Sequence, residues 1–158
     1  MLGFLGEYEV TLDAKGRFLL PVGFKKQLPE EGANLFVVSR GIEKCLSLYP
    51  LQSWEPIFSE ISKLNDFDPK VRQFRRYFLN GATMLELDSA GRLLVPQNLK
   101  DYAGLQKDIT LVSAIDKIEI WDNSKYHQEL FESFSPEAFS SLGNEVMNNV
   151  KNNSENGN

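Results

Sequence analysis

Asp13-Ala-Lys-Gly-Arg17-Phe-Leu-Leu-Pro21 returns 75 residues later as Asp88-Ser-Ala-Gly-Arg92-Leu-Leu-Val-Pro96. The match extends outward from the motif. Of the 20 positions running from Gly6/Gly81 to Lys25/Lys100, eight are identical. They are Gly6/Gly81, Leu12/Leu87, Asp13/Asp88, Gly16/Gly91, Arg17/Arg92, Leu19/Leu94, Pro21/Pro96 and Lys25/Lys100. Farther along the offset slips to 72, where Leu46-Ser-Leu-Tyr49 faces Ile118-Glu-Ile-Trp121 and Trp54 faces Tyr126. Self-similarity at a fixed offset marks a duplicated unit. Each copy has too few apolar positions for a core of its own, so the halves are expected to interleave.

Around the first motif, Tyr8, Val10 and Leu12 alternate with Glu7, Glu9 and Thr11, the period of a half-buried strand. Asp13 to Gly16 reads as a turn, because Asp bonds its own downstream backbone and Gly supplies positive φ. Phe18 to Leu20 forms a second strand that Pro21 ends. A short helix over Val22–Leu28 and strands at Leu35–Ser39 and Leu46–Tyr49 complete the unit. The second unit repeats this plan with strands at Ala82–Leu87, Leu93–Val95, Ile109–Ser113 and Lys117–Trp121 and a helix over Gln97–Tyr102. Two β-β-α-β-β halves predict an α+β, mainly β fold: a small closed or sandwiched sheet with pseudo-twofold symmetry.

Between the repeats lie two predicted helices. Ser53 would cap the first at Trp54, with Pro56 in the opening turn. Asp68-Pro69 opens the second, Gly81 ends it, and Val71, Phe74 and Phe78 form its expected buried side. Tyr49, Trp54, Trp121 and Tyr126 occupy matching repeat positions and are expected in the core. After Ser124 a helix is expected through Phe134, and Ser135-Pro136 opens another. The predicted division is a first repeat over 6–53, a helical connector over 54–80, a second repeat over 81–124, C-terminal helices over 125–147 and a disordered tail over 148–158.

Composition is that of a globular protein, with 42% hydrophobic and 25% charged residues among 158. One cysteine, Cys45, precludes an internal disulfide framework and fits a reducing cytoplasm. No signal peptide or membrane span is expected. The net charge of −5 opposes nucleic-acid binding, but residues 129–158 alone carry five Glu against one Lys. Local patches decide polyanion binding more than the total does.

The repeated turn has two readings. As a brace, each Asp pairs with the Arg four residues on, and Gly16 and Gly91 serve the turn. As a reader, a turn tip bearing Lys and Arg enters a DNA groove, where Arg pairs bidentately with guanine and Lys meets phosphate or base acceptors. The copies differ in charge. Positions 13–28 hold Lys15, Arg17, Lys25 and Lys26 against Asp13, whereas positions 88–103 hold Arg92 and Lys100 against Asp88 and Asp101. Ala90 stands where Lys15 stood. The first turn is thus the stronger candidate for a reader and the second for scaffold.

Arg72, Arg75 and Arg76 offer another basic surface, more simply read as a solvated or paired helix face. Catalysis finds little support. His127 is the one histidine, Cys45 the one thiol, and they sit at non-equivalent repeat positions. Asp13 and Asp88 each have an Arg that would keep them ionised. No phosphate-binding glycine loop or metal-ligand spacing occurs. No enzyme activity, metal or cofactor is expected.

The doubled Asp-x-x-x-Arg, each followed by an apolar triplet and Pro, resembles the MraZ family of bacterial transcriptional regulators of the division and cell-wall gene cluster. Each half resembles a swapped-hairpin SpoVT-AbrB domain, and the likeness runs from about Met1 to Phe134. The resemblance implies a double-split β-barrel and a ring-shaped homo-oligomer that binds direct repeats in the promoter of its own operon, in the cytoplasm and at the nucleoid. It places the DNA contact on Lys15 and Arg17, with Lys25 and Lys26 as nearby phosphate contacts and Asp13 positioning Arg17. Asp13, Gly16, Asp88, Gly91 and Arg92 are motif residues. A rival expectation is an antitoxin-like oligomeric module that binds another protein and uses both Asp–Arg pairs only as braces.

Overall fold

The computed structural model describes residues 3–132 and 134–157. They fall into two units, one ending at Ser124 and one starting at Lys125. In the first unit, β1 (Glu7–Thr11) and β2 (Arg17–Leu19) flank the first Asp–Arg turn and lead into α1 (Val22–Lys25). Strands β3 (Leu35–Arg40) and β4 (Leu46–Pro50) complete the first repeat. Helices α2 (Leu51–Ser62) and α3 (Pro69–Leu79) follow. The second repeat holds β5 (Thr83–Glu86), β6 (Arg92–Leu94), α4 (Gln97–Ala103), β7 (Asp108–Ala114) and β8 (Lys117–Asp122).

The strands exchange partners between repeats. Six of them form an antiparallel sheet in the order β1-β7-β8-β4-β3-β5. Strand β1 of the first repeat lies on β7 of the second, with Tyr8 opposite Leu111. Strand β5 of the second lies on β3 of the first, with Leu85 opposite Phe36. The remaining strands, β2 and β6, pair with each other and set Phe18 opposite Leu93. This is the expected mainly β, double-split barrel of two interleaved halves with flanking helices.

Repeat-equivalent side chains meet in one core. Phe18 and Leu93, Phe24 and Leu99, and Leu48 and Ile120 are all essentially inaccessible and belong to a single cluster. Burying each such side chain contributes roughly 1.5–3 kcal/mol. Half of the cluster comes from each repeat, so neither half could supply it alone. Tyr49 and Trp54 are buried in a smaller cluster with Val37, and Trp121 and Tyr126 are buried as well.

The connector departs from the sequence expectation. Helix α2 starts at Leu51, directly after β4, so Pro56 lies inside it and Ser53 is not its cap. Leu51, Trp54 and Ile57 pack with Val37 and Tyr49. That burial offsets the backbone hydrogen bond that Pro56 cannot donate. Helix α3 begins as its sequence dictates, with the Asp68 carboxylate accepting from the Lys70 amide at 2.9 Å. None of its residues is fully buried, however, and Phe74 is 48% exposed. Its expected apolar face stacks on itself and on α2, Phe74 on Phe78 and Phe78 on Trp54.

Past β8, α5 (Asn123–Tyr126) runs into a π-helical turn over His127–Phe131. Helix α6 (Pro136–Asn156) opens with the Ser135 hydroxyl accepting from the Ala138 amide at 3.1 Å. It continues through the segment expected to be a disordered tail. Once capped, α6 meets no proline before Gly157, and Gly143 is tolerated within it. None of its side chains is buried.

Candidate nucleic-acid interface

Each Asp–Arg turn closes on itself by the same five bonds. In the first, the Asp13 amide donates to the Arg17 carbonyl at 2.8 Å and the Gly16 amide to the Asp13 carbonyl at 3.0 Å. Asp13 Oδ1 accepts from the amides of Lys15 and Arg17, both at 2.9 Å, and Oδ2 accepts from Arg17 Nε at 2.8 Å. In the second, Asp88 Oδ1 accepts from the amides of Ala90 and Arg92, and Oδ2 from Arg92 Nε, all at 2.9 Å. Gly16 at φ +85° and Gly91 at φ +79° take the left-handed conformation that the turn requires.

These bonds are to the charged form of each acid. The Asp13 carboxyl is held below the ordinary carboxylate range, chiefly by the Arg17 amide, with desolvation opposing and the Arg17 side chain and Lys15 amide adding. Asp88 is lowered in the same way by Arg92 and the Ala90 amide. Both acids therefore stay ionised at neutral pH. The brace described from sequence is present at both turns.

The turns also interlock. The Gly16 carbonyl accepts from the Val95 amide at 2.9 Å, and the Gly91 carbonyl accepts from the Leu20 amide at 3.1 Å. Each turn is thereby anchored to the strand of the other repeat. The arginines diverge at this point. Arg92 Nη1 comes within 3.9 Å of Asp13 Oδ2 in addition to its own Asp88. Arg17 is bonded through Nε to Asp13 and has no equivalent ion pair to Asp88 among the described residues.

Lys15 is exposed on the braced tip, and Arg17, part-buried, stands beside it. Lys25 lies elsewhere. Its ammonium is 3.2 Å from the place a Cβ on Gly91 would take, so it borders the second turn. Lys26 is exposed at the end of α1. The residues beside the first turn come from the other repeat. An open cavity of about 400 Å³ is lined by Leu12, Asp13 and Ala14 together with Lys100, Leu105, Gln106 and Lys107. The strand exchange causes this placement, because the Leu12 amide donates to the Lys107 carbonyl at 2.8 Å. Lys100 is visible in the sequence as the repeat partner of Lys25, but nothing in its own repeat assigns it to the first turn. Lys107 carries no sequence signal at all.

Arg72 and Arg75 of α3 serve the connector. Arg75 donates to the carbonyls of Ile61 at 2.9 Å and Leu64 at 2.8 Å, closing the C-terminal end of α2, and it pairs with Asp66. Arg72 donates to the Asp66 carbonyl at 2.9 Å. Among the described residues, no group of three or more His, Cys, Asp or Glu side chains is placed to hold a metal. No described helix is long and apolar enough to cross a membrane.

The sequence pattern of the MraZ protein family, described as antitoxin-like, matches the chain twice, over residues 3–77 and 78–144. The chain belongs to the MraZ family. The two matches coincide with the two halves that exchange strands. A transcriptional regulator MraZ of Christiangramia forsetii is 41% identical over 150 residues, spanning 94% of this chain and 96% of that protein. One of Cytophaga hutchinsonii is 43% identical over 132 residues, spanning 84% and 87%. One of Flavobacterium psychrophilum is 41% identical over 147 residues, spanning 92% of each. The MraZ likeness thus reaches past β8 into the helical segments that follow it.

Proposed function

We propose that this protein is a sequence-specific, DNA-binding transcriptional regulator without catalytic activity, acting in the cytoplasm at the nucleoid on promoter repeats of its own division and cell-wall operon. The observation that carries this reading is the first turn. It is a rigid, doubly braced tip with an exposed Lys15 and with the Arg17 guanidinium bonded to Asp13 through its Nε. A preorganised turn loses little conformational entropy on entering a groove. Arg17 would read a guanine edge and Lys15 a base acceptor or phosphate. The names of the relatives, transcriptional regulators, support the same function.

A single turn offers too small a surface for tight binding, and a ring of subunits would multiply it by raising the effective concentration of each further turn. The exposed apolar surface of the connector supports such assembly. Phe58 is 49%, Phe67 90% and Tyr77 48% exposed. The rival reading, an antitoxin-like module that binds a protein, draws on the same surface.

The test is fluorescence anisotropy of labelled DNA from upstream of the gene, with scrambled DNA of equal length beside it. The regulator reading expects preference for the upstream DNA and binding that weakens steeply with salt. Equal binding of both DNAs by folded, oligomeric protein would overturn it in favour of a protein partner.

A further inference from the structure

We propose that the DNA contact of the first turn is completed across the repeat boundary, with Lys100 and Lys107 of the second repeat supplying its phosphate contacts. This rests on the DNA-binding reading above and specifies which charges surround the reading tip.

Two equivalent cavities flank the turns. The first is lined by Leu12, Asp13, Ala14, Lys100, Gln106 and Lys107. The second is lined by the corresponding Leu87, Asp88, Ser89, Lys25, Ala33 and Asn34, with Glu30 added. The correspondence is fixed by the backbone: the Leu12 amide donates to the Lys107 carbonyl at 2.8 Å, and the Leu87 amide donates to the Asn34 carbonyl at 2.9 Å. Lys107 therefore replaces a neutral Asn34, and among the described residues no acid lines the first side where Glu30 stands on the second. The one acid lining the first cavity, Asp13, is already bonded to Arg17.

The two turns thus differ in their surroundings more than their own repeats suggest. With Lys15 at the tip, the first turn is flanked by two lysines and a neutralised acid. The second turn has Ala90 at the tip and is flanked by Lys25 with Glu30. Asp108, next to Lys107, accepts from the Thr11 hydroxyl at 3.2 Å. Lys107 is exposed and Lys100 half-buried beside the turn. Phosphates flanking a groove lie on either side of an inserted tip, and lysines engage them as point charges without reading sequence.

Salt dependence separates this inference from the reading it rests on. Anisotropy titrations over a series of salt concentrations would compare wild type with Lys100→Gln/Lys107→Gln and Arg17→Ala on upstream and scrambled DNA. Circular dichroism would establish that each variant is folded. Removing one lysine–phosphate pair lowers the slope of log K against log salt by about 0.9. The double variant is expected to reduce the slope by about 2 per engaged protomer and to keep its preference for upstream DNA. Lys100→Arg/Lys107→Arg is expected to restore the slope. A wild-type slope in the double variant, alongside abolished preference in Arg17→Ala, would overturn this inference and leave the DNA-binding reading standing. Absence of preference in wild type would overturn both.

Discussion

Arg92 Nη1 lies 3.9 Å from Asp13 Oδ2, so the arginine of the second turn reaches the acid of the first. Asp13 is thereby the shared anchor: it accepts from two amides and Arg17 of its own turn and faces Arg92 of the other. Asp88 serves its own turn only, among the ion pairs of the described residues. Asp13→Asn is expected to perturb the amide resonances of Lys15, Arg17 and Arg92. Asp88→Asn should perturb those of Ala90 and Arg92 and leave Lys15 in place. Two-dimensional amide NMR distinguishes these patterns, and an unmoved Arg92 resonance in Asp13→Asn would show that the 3.9 Å approach transmits nothing.

The same carboxylates set an acid limit. Their pKa values in the folded protein are lowered from the ordinary 3.8. A lowered value means the unfolded chain takes up protons first as pH falls. The stabilisation is then complete above pH 3.8 and is lost as pH drops below it through the folded values. Hydrogen-bonded amides in both turns should therefore stay protected from neutral pH down to about pH 4 and lose protection below it. Loss of protection already at about pH 6, measured by hydrogen exchange, would mean that the acids are not held in this way.

A close approach at α1 makes a further position sensitive. A Cβ on Gly23 would stand 1.8 Å from the Tyr8 hydroxyl oxygen. Tyr8 is held edge-on to the buried Phe24, with ring centres 4.9 Å apart. Gly→Ala in a helix ordinarily gains up to about 1 kcal/mol. Here the overlap forces Tyr8 out of its site, and overpacking of this kind costs about 1–3 kcal/mol. Gly23→Ala is expected to be destabilising in urea unfolding, and a stabilised variant would contradict the packing.

Alkali acts through a different pair of groups. The Tyr102 hydroxyl is pushed up to about 12 by desolvation, with the Tyr77 hydrogen bond adding and Arg40 opposing. Its raised value keeps a proton in the folded state that the unfolded chain loses near pH 10. The contribution is whole below pH 10 and is lost as pH rises towards 12. Tyr102→Phe should remove this part of the alkaline fall in melting temperature. An unchanged fall in the variant would assign it to other groups.

Much of this architecture was legible in the chain. The repeat at Asp13 and Asp88, the alternation of Tyr8, Val10 and Leu12, and the Asp68-Pro69 helix start each follow from local chemistry, and local chemistry is what a sequence displays. Partner choice is different. Nothing in the pattern of β1 says that it pairs with β7 rather than with a strand of its own repeat, and that choice moves Lys107 beside Leu12 and Lys25 beside Gly91. The start of α2 was hidden because burial of Leu51 and Trp54 outweighs the signal of Ser53 and Pro56. The start of α6 at Ser135-Pro136 was legible, but its continuation past residue 147 was hidden because that Asn-rich, wholly exposed stretch lacks the apolar stripe by which a packed helix is recognised.

In the function proposed above, the first turn reads DNA and the second supports it. Because Arg17 and Arg92 make the same Nε bond, at 2.8 and 2.9 Å, their alanine substitutions remove nearly the same brace. Lys15→Ala, Arg17→Ala and Arg92→Ala should therefore be compared for affinity to upstream DNA by anisotropy at one salt concentration, with oligomeric state measured by light scattering. Assembly is expected to be intact in all three. Affinity is expected to fall about tenfold or more for Lys15→Ala and Arg17→Ala, about 1.4 kcal/mol for each substitution, and less for Arg92→Ala. Equal falls for Arg17→Ala and Arg92→Ala, with Lys15→Ala unaffected, would contradict it.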